Sequence, residues 1–276
     1  MNHKYKTSMF DEITIWVRGA GELGSATAHI LHNVGFHVFL SELPLPLAIR
    51  RTVTFSDAVF LGETEVEGTK AVYYDINSIP EKTPPDHIPI QVDSPENILR
   101  LQPNILVDAR MIKQYRENMM DYAPFVIGLG PGFEAGENCH VVIETMRGHD
   151  LGRIIWNGAA LPNTKVPGEV GGETFRRVIY APAEGTLEWQ VDFGEIVSEN
   201  DLMGTINKKY EIRAPFRGIV RGLISPQMPV RSGLKIADVD PRGEIVDYKS
   251  ISDKSRAIGR GVLEAILIHL RKRTSQ

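Results

Sequence analysis

One stretch limits what this chain can fold into. Residues 13–42 read Ile-Thr-Ile-Trp-Val, then Arg-Gly-Ala-Gly-Glu-Leu-Gly, then Ser25 to Val34, then Phe36-His-Val-Phe-Leu-Ser-Glu42. A short apolar strand runs into a glycine turn, a helix and a second strand that ends in an acid. Gly19, Gly21 and Gly24 fall as G-x-G-x-x-G between strand and helix, the context in which that spacing has physical meaning. Gly19 supplies the unusual dihedrals of a tight turn. Gly21 leaves room for a pyrophosphate at the backbone, and Gly24 lets the helix pack closely on the strand. The helix start, with Ala20, Glu22 and Leu23, presents unpaired N–H groups and a partial positive charge to an anion. Glu42 stands where an acid commonly holds ribose hydroxyls. These residues predict a Rossmann-like unit that binds a dinucleotide-type ligand. The bland alternative keeps the strand–helix–strand fold with an empty turn.

The pattern continues downstream. Leu43-Pro-Leu-Pro-Leu is a turn, with Arg50 and Arg51 placed near the rim beyond the second strand, where they could meet a phosphate or carboxylate or form a solvated pair. A small helix at 56–60 and a hairpin insert at 65–73 follow. Ser94-Pro-Glu-Asn begins a helix with a good N-cap and proline in its first turn. Ile105-Leu-Val-Asp108 reads as a buried strand, Lys113 to Tyr122 as a helix, and Phe125-Val-Ile-Gly-Leu as another strand. His29 and His32 read as surface residues on the flanks of the first helix. Strands alternating with helices predict an α/β fold with a doubly wound parallel sheet. Ligands gather beyond the carboxyl ends of such strands. Those ends carry Asp93, Asp108, Arg110, Gly130, and Glu144 with Arg147.

From Arg176 the texture changes. Ala181-Pro-Ala-Glu-Gly and Ala214-Pro-Phe-Arg-Gly each open a segment of strand, turn and strand. Two interlocking halves predict a small all-β domain resembling the barrel-sandwich hybrid of biotinyl and lipoyl carriers. Asn207-Lys-Lys-Tyr210 falls where such carriers present a modified lysine, but the Ala-Met-Lys-Met signature is missing. Lys208 and Lys209 therefore read as an unmodified hairpin turn. Ile258, Val262, Leu263, Ile266 and Leu267 make the apolar stripe of a last helix that returns to the first domain. The predicted division is 1–175, 176–243 and 244–276.

Composition excludes several classes. The chain has 276 residues and a net charge of −4, which argues against a general nucleic-acid partner. No apolar run reaches membrane-spanning length, and residues 1–12 carry no signal-peptide apolar segment. Cys139 is the sole cysteine, so an intrachain disulfide or a cysteine-rich metal site is ruled out. A cytoplasmic location is the expectation.

Cys139 also raises a chemical possibility. The glycine-rich Gly128-Leu-Gly130-Pro-Gly132 follows a strand and could form a backbone anion nest. A thiol beside such a nest or a cation ionises more readily. Cys139 is thus a candidate catalytic or chalcogen-carrying residue, and Arg147 a candidate anion contact. The competing reading is an inert buried cysteine.

Several motifs occur together: Gly19-Ala-Gly-Glu, Glu42-Leu-Pro-Leu-Pro-Leu-Ala-Ile-Arg-Arg-Thr-Val, Val107-Asp-Ala-Arg-Met and Ile127-Gly-Leu-Gly-Pro-Gly-Phe. With them come Cys139-His-Val-Val-Ile-Glu-Thr-Met-Arg-Gly-His-Asp-Leu-Gly, Leu161-Pro-Asn and Ile251-Ser-Asp-Lys. Over nearly its whole length the chain resembles the YqeB-type accessory proteins of selenium-dependent molybdenum hydroxylases. The resemblance implies a role in molybdenum cofactor maturation, a molybdenum hydroxylase as partner, and a distant likeness to xanthine dehydrogenase accessory proteins. The expected ligand is a dinucleotide, molybdopterin dinucleotide or NAD(P). Two rival expectations come from other classes: an NAD(P)-dependent oxidoreductase, and a noncatalytic docking scaffold.

Overall fold

The computed structural model describes residues 10, 12–112, 118–164, 166 and 168–273. The chain divides into two compact units. Unit 1 comprises Met1–Pro44, Phe55–Pro162 and Ile251–Gln276; unit 2 comprises Leu45–Thr54 and Asn163–Ser250.

Unit 1 is built on strands β1 (Thr14–Arg18), β2 (His37–Glu42), β3 (Glu63–Val66), β4 (Thr69–Tyr73), β5 (His87–Val92), β6 (Ile105–Asp108), β7 (Phe125–Leu129), β8 (Glu134–Ala135), β9 (Val141–Ile143), β10 (Ile154–Ile155) and β11 (Gly158–Ala159). Nine of them form one sheet in the order β10-β9-β7-β6-β1-β2-β5-β4-β3, while β8 and β11 pair separately. The pairings from β9 through to β4 are parallel, and only the two edge strands run antiparallel. The chain winds outward from β1 to β2 and β5, then crosses back to β6, β7 and β9. A change of direction therefore falls between β1 and β6.

Few helices cover this sheet: α1 (Glu22–Asn33), α2 (Ala58–Leu61), α3 (Pro95–Leu101) and α4 (Asp253–Arg273). Apolar residues alternate to both faces, as buried parallel strands require. Ile15, Val17, Val38, Leu40, Ile105 and Ile127 pack against Ala26 and Leu31 of α1 and Ile258, Val262 and Ile266 of α4. Trp16, Phe39, Leu106, Val126 and Val142 face the other way, under Met119, Ala123, Phe133, Cys139 and Ala160. Among the described residues, that cover comes from loops and short segments.

Helix α4 returns to unit 1 through glycines. A Cβ on Gly259 would lie 2.7 Å from Ile30 Cδ1, and one on Gly261 would lie 2.2 Å from the Gly152 carbonyl. Ile258, Val262, Ala265 and Ile266 are buried, each large side chain contributing about 1.5–3 kcal/mol. Leu267 is 43% exposed, so the buried stripe sits slightly to one side of the expected one. His29 departs from its surface assignment. It is buried, with Nδ1 2.8 Å from Thr69 Oγ1, because the β3–β4 hairpin folds over that flank of α1. Of the expected helix 113–122, residues 113–117 lie outside the described residues, and Met120–Tyr122 forms a 3-10 turn. Among the described residues no helix is long and apolar enough to cross a membrane.

Unit 2 is a small antiparallel assembly of β12 (Val178–Tyr180), β13 (Leu187–Trp189), β14 (Ile196–Val197), β15 (Leu202–Ile206), β16 (Tyr210–Arg213), β17 (Gly218–Leu223) and β18 (Lys235–Asp240). They form a four-stranded sheet, β12-β18-β17-β14, and a three-stranded one, β13-β15-β16. A buried ion network crosses β17 and β18. Asp238 accepts from Arg177 Nη1 at 2.6 Å and Arg221 Nε at 3.0 Å. Asp240 accepts from Arg221 Nη1 and Arg242 Nη2, both at 2.8 Å. Burial alone would raise the Asp240 carboxyl; hydrogen bonds from Arg242 and the charge of Arg221 hold it below its ordinary value. Removing one partner of such a pair typically costs about 3–5 kcal/mol.

Segment 45–54 belongs to unit 2 because its backbone is stitched there. Leu223 N donates to Ile49 O at 2.8 Å, and Thr52 Oγ1 donates to Tyr248 O at 2.7 Å. Arg50 is buried within this unit 2 segment. The units divide at 162 and 250, where 175 and 243 were expected. At the β15–β16 hairpin tip, Asn207 and Lys208 have φ of 54° and 55°. Asn207 accepts from Thr186 N at 2.9 Å and donates to Glu184 O at 3.0 Å, which fixes the turn and leaves Lys208 and Lys209 exposed.

Candidate functional site

The glycine turn after β1 has three differently constrained positions. Gly19 has φ +97°, and a Cβ there would lie 3.1 Å from backbone atoms of Ala109 and Arg110. Gly24 sits in α1 so close to the turn that a Cβ would lie 1.8 Å from the Gly19 carbonyl oxygen. Gly21 is the helix N-cap, with φ −69°, and a Cβ there would meet nothing within 4 Å. Two glycines thus close the turn against protein, and the one between them faces open space.

Glu42 at the end of β2 reaches back to this turn. Ala20 N donates to Glu42 Oε2 at 2.8 Å, and Leu43 N donates to Oε1 at 2.7 Å. Burial raises the Glu42 carboxyl above its ordinary value; these N–H groups oppose the rise, and the charges of Asp93 and Asp57 add to it. The carboxylate keeps lone pairs for further donors. Ser25 secures the turn from below, donating to Ala20 O at 2.8 Å and accepting from Phe55 N at 2.8 Å. Glu22 points away from the turn. Its Oε1 accepts from Ser252 Oγ at 2.7 Å and Ser255 Oγ at 3.0 Å, tying the start of α4 to the start of α1.

Asp108 and Arg110 lie at the carboxyl end of β6, beside Gly19. Asp108 is fully buried and accepts from Arg110 N and Nε at 3.0 and 3.1 Å on one oxygen. A second pair parallels it one strand away: Arg18 Nε donates to both Asp93 oxygens, at 3.0 and 2.9 Å. Met119 Sδ lies 3.8 Å from Arg18 Nη1 and 3.6 Å from Arg110 Nη2, so the two pairs share one roof. Arg18, Ser41 and Gln91, which join this layer, were not singled out from the sequence. The available signal was a polar residue inside an otherwise apolar buried strand.

The second glycine stretch serves packing. A Cβ on Gly128 would lie 2.2 Å from the Phe133 ring, and one on Gly130 would lie 2.4 Å from Thr145 Oγ1. The carbonyl of Gly132, which has φ +101°, accepts from Asn138 Nδ2 at 3.2 Å. Glu144 is buried and caps the following loop, accepting from Thr145 N and Met146 N at 2.7 Å. Arg147 is partly exposed, with Nη1 2.7 Å from Asp253.

Cys139 corrects the expectation of an accessible, acidified thiol. It is fully buried beneath the second sheet face. Burial pushes the thiol up to about 11, against backbone hydrogen bonds at Gly128 and Val141, and the nearby Asp108 charge raises it further. The thiolate needed for nucleophilic or carrier chemistry is disfavoured there.

No protein-family model matches the chain. Over 254 residues it is 47% identical to a protein of Escherichia coli strain K12 named uncharacterized protein YqeB. That match takes in 91% of this chain and 47% of the relative, so the chain spans about half the length of the curated relative it matches. Among solved structures, an aspartoacylase family protein of Mesorhizobium loti aligns with 82% of this chain and 84% of its own, at 12% identity and a TM-score of 0.28. The ectoine utilization protein EutE of Ruegeria pomeroyi aligns over the same shares at 14% identity and a TM-score of 0.25.

Proposed function

We propose that unit 1 binds a dinucleotide-type ligand at the turn Gly19–Gly24, and that the protein is an accessory factor in the maturation of selenium-dependent molybdenum hydroxylases. The observation that carries the binding reading is the open position at Gly21, set at the start of α1 between two glycines that are sterically closed. Anions favour such a helix start, where N–H groups and the helix dipole point the same way. The turn also borders the change of strand direction between β1 and β6, where ligands collect in open α/β sheets. The succession β5-β2-β1-β6-β7-β9 supports a Rossmann-like reading of the strand order.

In this reading the α1 start holds pyrophosphate. Glu42, already anchored to the turn, accepts from the ribose hydroxyls. Asp108 and Arg110 shape the crevice beside Gly19. The ligand is molybdopterin dinucleotide or a nicotinamide dinucleotide, and the partner is a molybdenum hydroxylase. The maturation role rests on the motif resemblance, together with the 47% identity to YqeB. The two small sheets of unit 2 and the exposed tip at 207–209 support a barrel-sandwich-like docking domain. Because Cys139 is buried, the reading assigns it no carrier role.

Native mass spectrometry of the purified protein tests the proposal. A retained dinucleotide, released on denaturation and identified by its mass, is the expected result. A ligand-free protein that also fails to take up added NAD or molybdopterin dinucleotide would exclude the binding reading.

A further inference from the structure

Glu42 stands at the seam between β2 and the glycine turn. Gly19 N donates to Ser41 O at 2.8 Å, which ties the turn to the end of β2 one residue before this acid. Each carboxylate oxygen is then pinned from its own side, Oε2 by Ala20 N at 2.8 Å and Oε1 by Leu43 N at 2.7 Å. A carboxylate held at both oxygens does not swing aside for a ligand. The side chain is partly exposed, and its Oε2 bonds the backbone nitrogen next to the open Gly21 position. A molecule seated on the turn therefore meets it.

The charge balance around Glu42 is one-sided. Among the described residues it forms no ion pair. The neighbouring cations are engaged elsewhere: Arg18 donates to both Asp93 oxygens, and Arg110 to Asp108. Asp93 follows β5 beside Glu42, its N donating to the Glu42 carbonyl at 2.8 Å, and the charges of Asp93 and Asp57 both act on the Glu42 carboxyl. From Leu43 through Ile49 the chain carries no basic residue.

We propose that this carboxylate selects a nucleotide whose ribose has both hydroxyls free, and rejects one phosphorylated at the 2′ or 3′ oxygen. A ribose hydroxyl donates to a carboxylate lone pair at little cost. A phosphate ester on the same oxygen removes that donor and brings about two negative charges against a carboxylate that cannot turn away. Like charges in contact repel, the more so where water is partly excluded. On the dinucleotide reading of the glycine turn, on which this inference rests, the class admitted is NAD or molybdopterin dinucleotide, and NADP is excluded.

The test titrates the full chain with adenosine 5′-monophosphate, adenosine 2′,5′-bisphosphate and adenosine 3′,5′-bisphosphate at about pH 8, where carboxylates are ionised. The parent is expected to bind the monophosphate about tenfold more tightly than either bisphosphate. Glu42→Gln removes the charge and should narrow that gap to within about threefold. Glu42→Ser removes charge and reach together and should do the same, so that if one variant misfolds, as circular dichroism would show, the other decides. Equal or tighter binding of a bisphosphate by the parent, or a full gap retained by a folded variant, overturns the proposal and leaves the turn reading standing. Failure of all three probes to bind the parent overturns the turn reading and this inference with it.

Discussion

Two glycine-rich turns follow parallel strands of the same sheet, and they use glycine for opposite ends. After β1, the middle glycine opens onto empty space while its two flanking glycines are closed. After β7, the space beside Gly128 is taken by Phe133 and the space beside Gly130 by Thr145. The first turn withholds side chains so that something can approach. The second withholds them so that the protein can fill itself. Local sequence density of glycine does not separate these uses; the identity of the atom nearest a hypothetical Cβ does.

The sharpest way to break this comparison is Gly24→Ala. Its Cβ would fall 1.8 Å from a backbone oxygen that no rotamer can move, so a loss of more than about 4 kcal/mol is expected, read from denaturant midpoints. Phe133→Ala empties the second turn and should cost about 3–5 kcal/mol. In that background Gly128→Ala should become nearly neutral, and a double-mutant cycle measures the coupling. Gly21→Val carries the opposite signature: stability within about 0.5 kcal/mol of the parent, but dinucleotide affinity down about 100-fold, or 2.7 kcal/mol. Unchanged affinity would make the first turn a packing device like the second.

Smaller effects sharpen the picture. Cys139→Ala should cost about 1 kcal/mol, and iodoacetamide should label native Cys139 far more slowly at pH 7 than the unfolded chain, mass spectrometry counting the adducts. Rapid native labelling would contradict the burial of its thiol. Glu42 provides the mildest probe. Its carboxyl is raised in the folded protein, so its contribution to stability is full below the unfolded value and is lost as pH rises through the folded one. Relative to Glu42→Gln, the parent should therefore lose stability between pH 4 and pH 7, measured by urea midpoints at both.

The strand–turn–helix–strand of residues 13–42 was legible because period-two and period-3.6 patterns meet at a glycine triplet. Gly35 as the residue past α1 was legible for the same local reason, and it has φ +96°. What escaped was long-range. The burial of His29 depends on a hairpin arriving from residues 63–73, and the membership of residues 45–54 in unit 2 depends on bonds to Leu223 and Tyr248. The arginine–aspartate network of unit 2 needs strand register before Arg177, Arg221, Asp238 and Asp240 come together. Gln91 was overlooked because one glutamine in a short strand looks like an ordinary exposed position until both faces are known to be covered.

The clasp between Glu22 and the serines of α4 bears on how the chain is made. Unit 1 starts at its first strand but is completed only by residues 251–273, which lay α4 along α1. A ribosome must therefore release all of residues 163–250 before the first helix can meet the last. Until then Ala26, Leu31 and the α1 side of the sheet lack their apolar cover from α4. Such late closure raises the sequence separation of native contacts and slows folding. It also prolongs the interval in which a nascent chain exposes a sticky surface, the stage at which chaperones engage unfinished domains.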